Sequence, residues 1–283
     1  MDIRQIVDVS SYPIDQPGDT AREKLVSDVR RHLANDGCAV IPGFLSPRGL
    51  STLCAEARVR LSKTYYSPDR RCNVYFDQGD PELPQSHPRN RFLERSNGFI
   101  TADCFGDDSV ARKLYYWAPL ANFIAHCLGR DRLHIYADPV SNMIVNVGRA
   151  EEQFNWHFDT NEFTITMLLQ AAESGGEFEY APDLRSPQDE RYDAVGRVLD
   201  GDRSTVRRLS LNPGDLQIFL GRYALHRVTP VAGRRERLLL IMSFTEQPGV
   251  IGSIERVRKL YGKVTQVHHD GASGRVRSDA LID

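Results

Sequence analysis

A chain of 283 residues can bury one large core, and its 41% apolar and 26% charged residues are ordinary for a single globular domain over residues 1–283. The formal net charge of −2 excludes a bulk attraction to nucleic acid or to an anionic membrane, so we expect neither as a partner. The first residues lack the apolar stretch of a signal peptide, and no apolar run approaches the ~20 residues of a membrane span. The five cysteines are scattered and form no CxxC pair, which fits a reducing compartment. We therefore expect the protein to act in the cytoplasm.

The N-terminal part of the chain, about residues 20–128, is predicted to form a helical support for the core. Apolar residues at helical spacing predict helices at 20–35, 47–63 and 109–129. A short strand is expected at Cys38–Ile41. Residues 66–95 hold four prolines and little periodicity. They predict a long irregular segment, which is either a lid or wall of a substrate pocket or a plain surface excursion.

Strands dominate the following part, about residues 130–250, which we take as the catalytic core. They are predicted at 133–137, 141–148, 155–170, 176–180, 206–211, 215–220, 224–230 and 237–245. Short strands at this density, separated by Pro and Gly turns, favour a mainly β fold, a sandwich or jelly roll with flanking helices. Residues 183–205 are predicted to be an insertion loop and 253–260 a last helix. His268 and His269 are expected to form a tail pair with weak adventitious metal affinity at most.

A His-x-Asp pair stands in the segment 155–160, NWHFDT, and a further histidine, His226, follows downstream. In a β-strand, residues i and i+2 point to the same face, so His157 and Asp159 can chelate one metal ion. Two imidazoles and one carboxylate form the facial triad of non-haem Fe(II) oxygenases and leave coordination positions open. We therefore predict that His157, Asp159 and His226 are the metal ligands and the catalytic residues.

Four further motifs carry a resemblance to a known family. They are 36–45 (DGCAVIPGFL), 175–182 (GGEFEYAP), 212–219 (NPGDLQIF) and 226–231 (HRVTPV), the last followed by Arg237 at the start of an apolar strand. In this order they resemble the core of the Fe(II)/2-oxoglutarate-dependent dioxygenase superfamily, over roughly residues 30–250. The resemblance implies a double-stranded β-helix (a jelly roll, cupin-like) and an enzyme that uses Fe(II), the cosubstrate 2-oxoglutarate and O₂.

The resemblance also implies a fixed cation for the distal carboxylate of 2-oxoglutarate, and arginine offers a bidentate fork for that group. Arg237 directly precedes an apolar run and is our first choice, with Arg235 as the reserve. The family's usual hydroxyl two residues after the arginine is missing, because position 239 is Leu. Thr166, Thr229 and Ser243 are left as alternative hydroxyl partners.

Within the superfamily, the segments 96–99 (SNGF), 114–115 (LY) and 258–262 (RKLYG) resemble the BesD-type amino-acid halogenases and hydroxylases. Halogenases of that group have Gly or Ala in place of the carboxylate ligand, so that chloride can bind the metal. Because Asp159 is present here, we expect hydroxylation. The expected substrate is a small molecule, a free amino acid or an amino-acid-derived metabolite, and Asn142, Asn146 and His87 are candidate pocket residues.

Alternatives stay open on the sequence alone. A carrier-tethered or other secondary-metabolite substrate fits the same motifs. A metal-binding cupin that is not an oxygenase would lack a cation such as Arg237 aimed at a dicarboxylate. A protein or nucleic-acid demethylase would usually bring a basic surface or an added reader domain, and neither is visible.

Overall fold

The computed structural model describes residues 2–271, 279 and 281–282. The helices in this part of the chain are α1 (Thr20–Asp36), α2 (Pro47–Arg58), α3 (Val110–Tyr115), α4 (Ala118–Cys127), α5 (Tyr192–Leu199), α6 (Ile254–Tyr261) and α7 (Gln266–Asp270). Single 3-10 turns lie at Ile3–Gln5, Leu61–Lys63, Pro88–Asn90 and Ala102–Cys104. The strands are β1 (Cys38–Ile41), β2 (Arg71–Cys72), β3 (Leu93–Glu94), β4 (Gly98–Ile100), β5 (His134–Ile135), β6 (Met143–Gly148), β7 (Phe154–His157), β8 (Thr164–Gln170), β9 (Ser174–Gly175), β10 (Phe178–Ala181), β11 (Arg207–Leu209), β12 (Leu216–Phe219), β13 (Leu225–Val228), β14 (Val231–Ala232), β15 (Arg237–Met242) and β16 (Phe244–Thr245).

Two antiparallel sheets form the body of the protein. The larger has the order β1-β12-β8-β15-β6-β4, and the smaller has the order β11-β10-β13-β7. They face each other, since the ring of Phe219 in the larger sheet lies 5.0 Å from that of Phe178 in the smaller. The predicted mainly β jelly roll with flanking helices is therefore confirmed.

The larger sheet alternates strictly between its two faces, as a pleated strand requires. In β15, Leu238, Leu240 and Met242 are buried in the apolar core that packs on the helices. The residues between them face the smaller sheet, so Arg237 at the start of the strand points into the space between the sheets. A one-residue shift of register would exchange these two faces, so the apolar alternation determines which residues reach that space.

Several predicted elements differ from the structure. The helix expected at 47–63 ends at Arg58 and is followed by a 3-10 turn at Leu61–Lys63, and the strand expected at 237–245 is divided at Ser243 into β15 and β16. The strand expected at 155–170 is two strands, because residues 158–163 form a turn between β7 and β8. The helix expected at 109–129 is divided at Tyr116 and Trp117 into α3 and α4, and Pro119 stands in the first turn of α4, where no backbone donor is needed.

A further difference lies in the segment 183–205, which was expected to be only a loop. It contains α5, because Val195 and Val198 bury one face of this stretch. The segment 66–95 is mostly irregular, as predicted. None of the helices in the described ranges is long and apolar enough to cross a membrane.

Candidate metal and cosubstrate site

Two paired strands bring the histidines together. β7 and β13 are neighbours in the smaller sheet, and in their register His157 lies directly opposite His226. The two imidazole centroids are 4.1 Å apart. Ligand atoms of His157, Asp159 and His226 all lie within 4.8 Å of one another. The structure thus brings together the three residues predicted as metal ligands, in an arrangement that could hold one metal ion.

Both imidazoles present the same nitrogen to this site. The Nδ1 atom of His157 is 2.7 Å from the carbonyl oxygen of Asn155, and Nδ1 of His226 is 3.0 Å from that of Ala224. A carbonyl can only accept, so each Nδ1 donates to it and each Nε2 is the ring nitrogen left to face a metal. Burial, reinforced by the neighbouring His226, holds the pKa of His157 well below its usual range, so this ring is neutral at physiological pH.

Asp159 lies in the turn after β7 and not in the strand itself. The prediction that His157 and Asp159 share one face of a β-strand is therefore wrong, although both side chains reach the same site. Its N–H donates to the Gly221 carbonyl (3.1 Å), and its Oδ2 accepts from Thr164 Oγ1 (2.7 Å). Its Oδ1 lies 3.5 Å from His226 Nε2. Burial opposes the charged form, but His226, His157 and the Thr164 hydroxyl outweigh it and lower the pKa of Asp159, so the carboxylate is ionised.

Gly221 makes room for this carboxylate. A Cβ atom at position 221 would lie 2.0 Å from Asp159 Oδ2, closer than any real contact allows. Any other residue at 221 would therefore displace the Asp159 side chain. The backbone of Gly221 and the hydroxyl of Thr164 together hold the Asp159 side chain in one orientation.

Arg237 is a buried cation between the sheets. Its side chain lines a small cavity of about 130 Å³ together with Gly176 and Phe178. The residue is 4% exposed, and its Nη1 has no hydrogen-bond partner among the described residues. Burial lowers the pKa of Arg237 to about 10, which still leaves it protonated at neutral pH. The Phe178 ring also contacts His226, with 5.7 Å between the ring centroids. Phe178 therefore lies between the unpaired guanidinium of Arg237 and the triad.

The other predicted cosubstrate residues are differently placed. Arg235 is exposed, and its guanidinium donates to the carbonyls of Ala171 (2.8 Å) and Ala172 (3.1 Å). Thr166 is buried on the inner face of β8, where its hydroxyl donates to Gln217 (3.0 Å). Of the two alternatives, Thr229 accepts from the Glu177 N–H, and Ser243 lines a larger cavity. Arg237 is therefore better placed than Arg235 to bind an acid between the sheets.

The larger cavity, of about 570 Å³, opens onto His157 and Asp159. The Phe154 ring stacks on His157 at 3.7 Å between centroids, and Phe76 from the irregular segment meets the same imidazole edge-on at 5.8 Å. Neither aromatic residue was predicted, since no local pattern distinguishes them from core residues. The placement of Phe76 supports the interpretation of the segment 66–95 as a pocket wall.

The C-terminal part of the described chain forms much of the opposite wall, through residues 251–261 and His268. His268 is fully buried, and its Nε2 lies 3.0 Å from Oδ2 of the equally buried Asp138. His268 was expected in a tail pair, but it packs inside the protein against Asp138.

The three candidate substrate residues lie outside the lining of this cavity. Asn142 is buried, and its carbonyl accepts from the Ser243 N–H. Asn146 is buried on the inner face of β6 opposite Phe99. His87 packs on Tyr192, with 4.4 Å between ring centroids. A role for them in substrate binding stays a prediction.

The fold and the sequence together place the chain in the Fe(II)/2-oxoglutarate oxygenase superfamily, which confirms the predicted resemblance. The model of the family "Halogenase D" matches residues 21–256, and the chain belongs to this family. No match was found among curated proteins.

Solved structures share the fold at low sequence identity. A prolyl-4-hydroxylase from Pseudomonas putida is 17% identical, with a TM-score of 0.50 over 78% of this chain and 99% of that chain. The epimerase SnoN in complex with Fe³⁺, α-ketoglutarate and nogalamycin RO is 14% identical, with a TM-score of 0.54 over 79% and 84%. AviO1 from Streptomyces viridochromogenes is 15% identical, with a TM-score of 0.52 over 78% and 95%. At such identities these proteins show that the architecture is shared.

Proposed function

We propose that the protein is an Fe(II)- and 2-oxoglutarate-dependent hydroxylase of a small molecule, a free amino acid or an amino-acid-derived metabolite. The observation that carries the proposal is the triad of His157, Asp159 and His226, whose ligand atoms lie within 4.8 Å of one another. The presence of Fe³⁺ and α-ketoglutarate in the similar SnoN complex supports the choice of metal and cosubstrate.

Each group has a defined task in this proposal. The two Nε2 atoms and the Asp159 carboxylate would hold Fe(II) on one face, which leaves the other positions open. Arg237 would pair with the distal carboxylate of 2-oxoglutarate, which gives its unpaired guanidinium a partner. When bound, the iron and 2-oxoglutarate supply the oxidation of an unactivated C–H bond by O₂, with succinate and CO₂ as the other products. The rings of Phe76 and Phe154 keep water away from this face of the site.

Hydroxylation is favoured over halogenation despite the family's name. A halide on the iron would need the position that the Asp159 carboxylate takes. Here that carboxylate is ionised, held by Thr164 and accommodated by Gly221. The unpaired Arg237 argues against a cupin without oxygenase activity, because such a protein has no use for a buried cation beside its metal.

The test is an anaerobic titration with Fe(II) and 2-oxoglutarate, followed by a screen of amino acids for succinate release. Products are then identified by mass spectrometry in chloride and chloride-free buffers. We expect a hydroxylated product in both buffers. A chlorinated product from the unmodified enzyme would refute the hydroxylase proposal and would mean that Asp159 does not bind the metal.

A further inference from the structure

The turn that carries Asp159 is held by two consecutive residues between β12 and β13. The Gly221 carbonyl accepts from the Asp159 N–H (3.1 Å), and Nη1 of Arg222 donates to the Thr160 carbonyl (3.3 Å). A turn orients a side chain less precisely than a strand does, and a metal ligand must be held to within ~0.5 Å. Because Asp159 lies outside β7, its orientation depends on these contacts to the turn.

Arg222 is itself fixed by an acid from the C-terminal part of the described chain. Its Nε and Nη2 donate to the two carboxylate oxygens of Asp279, both at 2.6 Å. The Arg222 side chain is 1% exposed and the Asp279 side chain 10%. A bidentate pair fixes the plane of the guanidinium as well as its position. The direction in which Nη1 points, toward Thr160, is therefore set by Asp279.

A second buried arginine supports the same turn from the other side of the metal ligand. The Arg185 guanidinium carbon lies 4.0 Å from the centre of the Phe158 ring, and its Nε donates to the Arg222 carbonyl (2.6 Å). Arg185 pairs with Glu190 (2.9 Å), and Glu190 accepts from the Ile282 N–H (2.5 Å). The C-terminal part of the described chain thus reaches both arginines that support the turn.

We propose that Asp279 is a positioning residue for the metal site, which acts through Arg222 to hold the turn 158–163 so that the Asp159 carboxylate faces the iron. The inference rests on the proposed role of Asp159 as an iron ligand and adds a residue that does not touch the metal. Without the Asp279 carboxylate, the buried guanidinium of Arg222 would lose a charged partner and would reorient toward other acceptors. The turn would then hold Asp159 less firmly, although the sheets would keep their structure.

The test compares Asp279→Asn, which removes the charge, with Asp279→Glu, which keeps it. Fe(II) affinity is measured by anaerobic titration, and the visible absorption of Co(II) in the same site reports the ligand geometry. Asp279→Asn should weaken the binding of both metals about 10-fold and change the Co(II) spectrum, since loss of a group that orients a metal ligand typically costs about 10- to 100-fold in affinity. Asp279→Glu should recover the spectrum and most of the affinity.

The matched control is Asp15→Asn, which breaks the ion pair of another buried acid, 6% exposed, with Arg4 in the N-terminal segment (2.9 Å). The unfolding temperature of each metal-free variant is recorded by calorimetry. Asp15→Asn should lower this temperature and leave metal affinity and the Co(II) spectrum unchanged. The comparison separates positioning of the ligand from general stability.

The inference is overturned if Asp279→Asn lowers the unfolding temperature but leaves metal affinity and the Co(II) spectrum unchanged. It is also overturned if Asp15→Asn loses as much affinity, because affinity would then follow stability. If Asp279→Asn does not fold, Arg222→Lys decides: lysine keeps the charge beside Asp279 but lacks the planar fork that also reaches Thr160, so it should bind metal about 10-fold more weakly. Unchanged affinity in that variant would overturn the inference.

The proposed function has a separate outcome. If the unmodified protein binds Fe(II) and forms succinate while Asp279→Asn binds metal equally well, only the positioning role of Asp279 is wrong. If the unmodified protein binds neither Fe(II) nor Co(II), the proposed function is wrong and the inference is overturned with it.

Discussion

Arg237 should strengthen 2-oxoglutarate binding and should destabilise the folded protein when no cosubstrate is bound. The residue is buried, and its Nη1 has no partner among the described side chains and backbone. Burial lowers the pKa of Arg237 to about 10, which corresponds to about 3 kcal/mol against the charged form. The cofactor-free protein thus carries an unfavourable buried charge, and a carboxylate bound there would relieve it.

The informative variant is Arg237→Met, which keeps an unbranched chain and removes the charge. A charge-assisted bidentate contact is worth roughly 1.5–3 kcal/mol, so the dissociation constant and the Michaelis constant for 2-oxoglutarate should both rise about 10- to 150-fold. The cofactor-free variant should at the same time unfold at a higher temperature than the unmodified protein. The two measurements are an anaerobic titration of the Fe(II) protein with 2-oxoglutarate and calorimetric unfolding of the protein without metal.

The matched control is Arg235→Met, which removes an exposed arginine two residues away that binds only backbone carbonyls. It should leave 2-oxoglutarate affinity unchanged. A large loss of affinity in this control, with no loss in Arg237→Met, would move the cosubstrate role to Arg235. A lower unfolding temperature for cofactor-free Arg237→Met would refute the charge argument.

Three further outcomes are expected. Alanine at any one of the three triad positions should abolish Fe(II) binding in a metal titration and succinate release in a turnover assay; wild-type succinate production by all three variants would disprove the triad assignment. Thr164→Val should weaken Fe(II) binding about 10- to 100-fold, as loss of a hydrogen bond to a metal ligand typically does, whereas Thr164→Ser should retain it; equal affinities would show that the hydroxyl does not orient Asp159. Burial opposes the charge of Glu179, but hydrogen bonds from Arg227 and Arg208 prevail and lower the pKa of Glu179. The stability gained from that carboxylate is therefore present above its ordinary pKa of 4.5 and is lost as the pH falls through the lowered value, so Glu179→Gln should reduce the unfolding temperature at pH 7 and converge with the unmodified protein in acid; a difference independent of pH would contradict this reasoning.

The sheets and the clustering of the candidate metal ligands were predictable because their signals are local or periodic. Alternating apolar residues define β15 and orient Arg237 into the interior. The His157-x-Asp159 pair is short, and the distant His226 was recognisable from the residues that follow it. The prediction nevertheless gave Asp159 a place in a strand. Its actual position depends on Gly221, a contact between distant parts of the chain that no periodicity encodes.

The segment 66–95 was offered as a pocket wall, but the individual side chains that line the cavity were not predictable, for the same reason. Phe76 contacts His157 only because Asn73 holds its turn in a left-handed conformation, and a phenylalanine gives no sequence signal for positive φ. Residues of α6 complete the wall after the last strand has ended. His268 was assigned to a tail pair, yet it pairs with Asp138, 130 residues away along the chain. Each of these errors concerns a long-range contact.

Membership of the Halogenase D family and the presence of Asp159 lead to different expectations, and the contacts of the Asp159 carboxylate are the reason why we propose hydroxylation. A fold can host several chemistries, so the reaction must be argued from the site. A carboxylate that merely replaced glycine would be expected to crowd its surroundings. Here position 221 is a glycine whose missing Cβ accommodates Asp159, and the Thr164 hydroxyl takes one carboxylate oxygen while the other faces His226. These contacts come from separate parts of the chain and agree on one geometry, that of an aspartate oriented as a metal ligand. These contacts support the proposed role of Asp159 as an iron ligand, and under that proposal a halide could bind the iron there only by displacing the carboxylate.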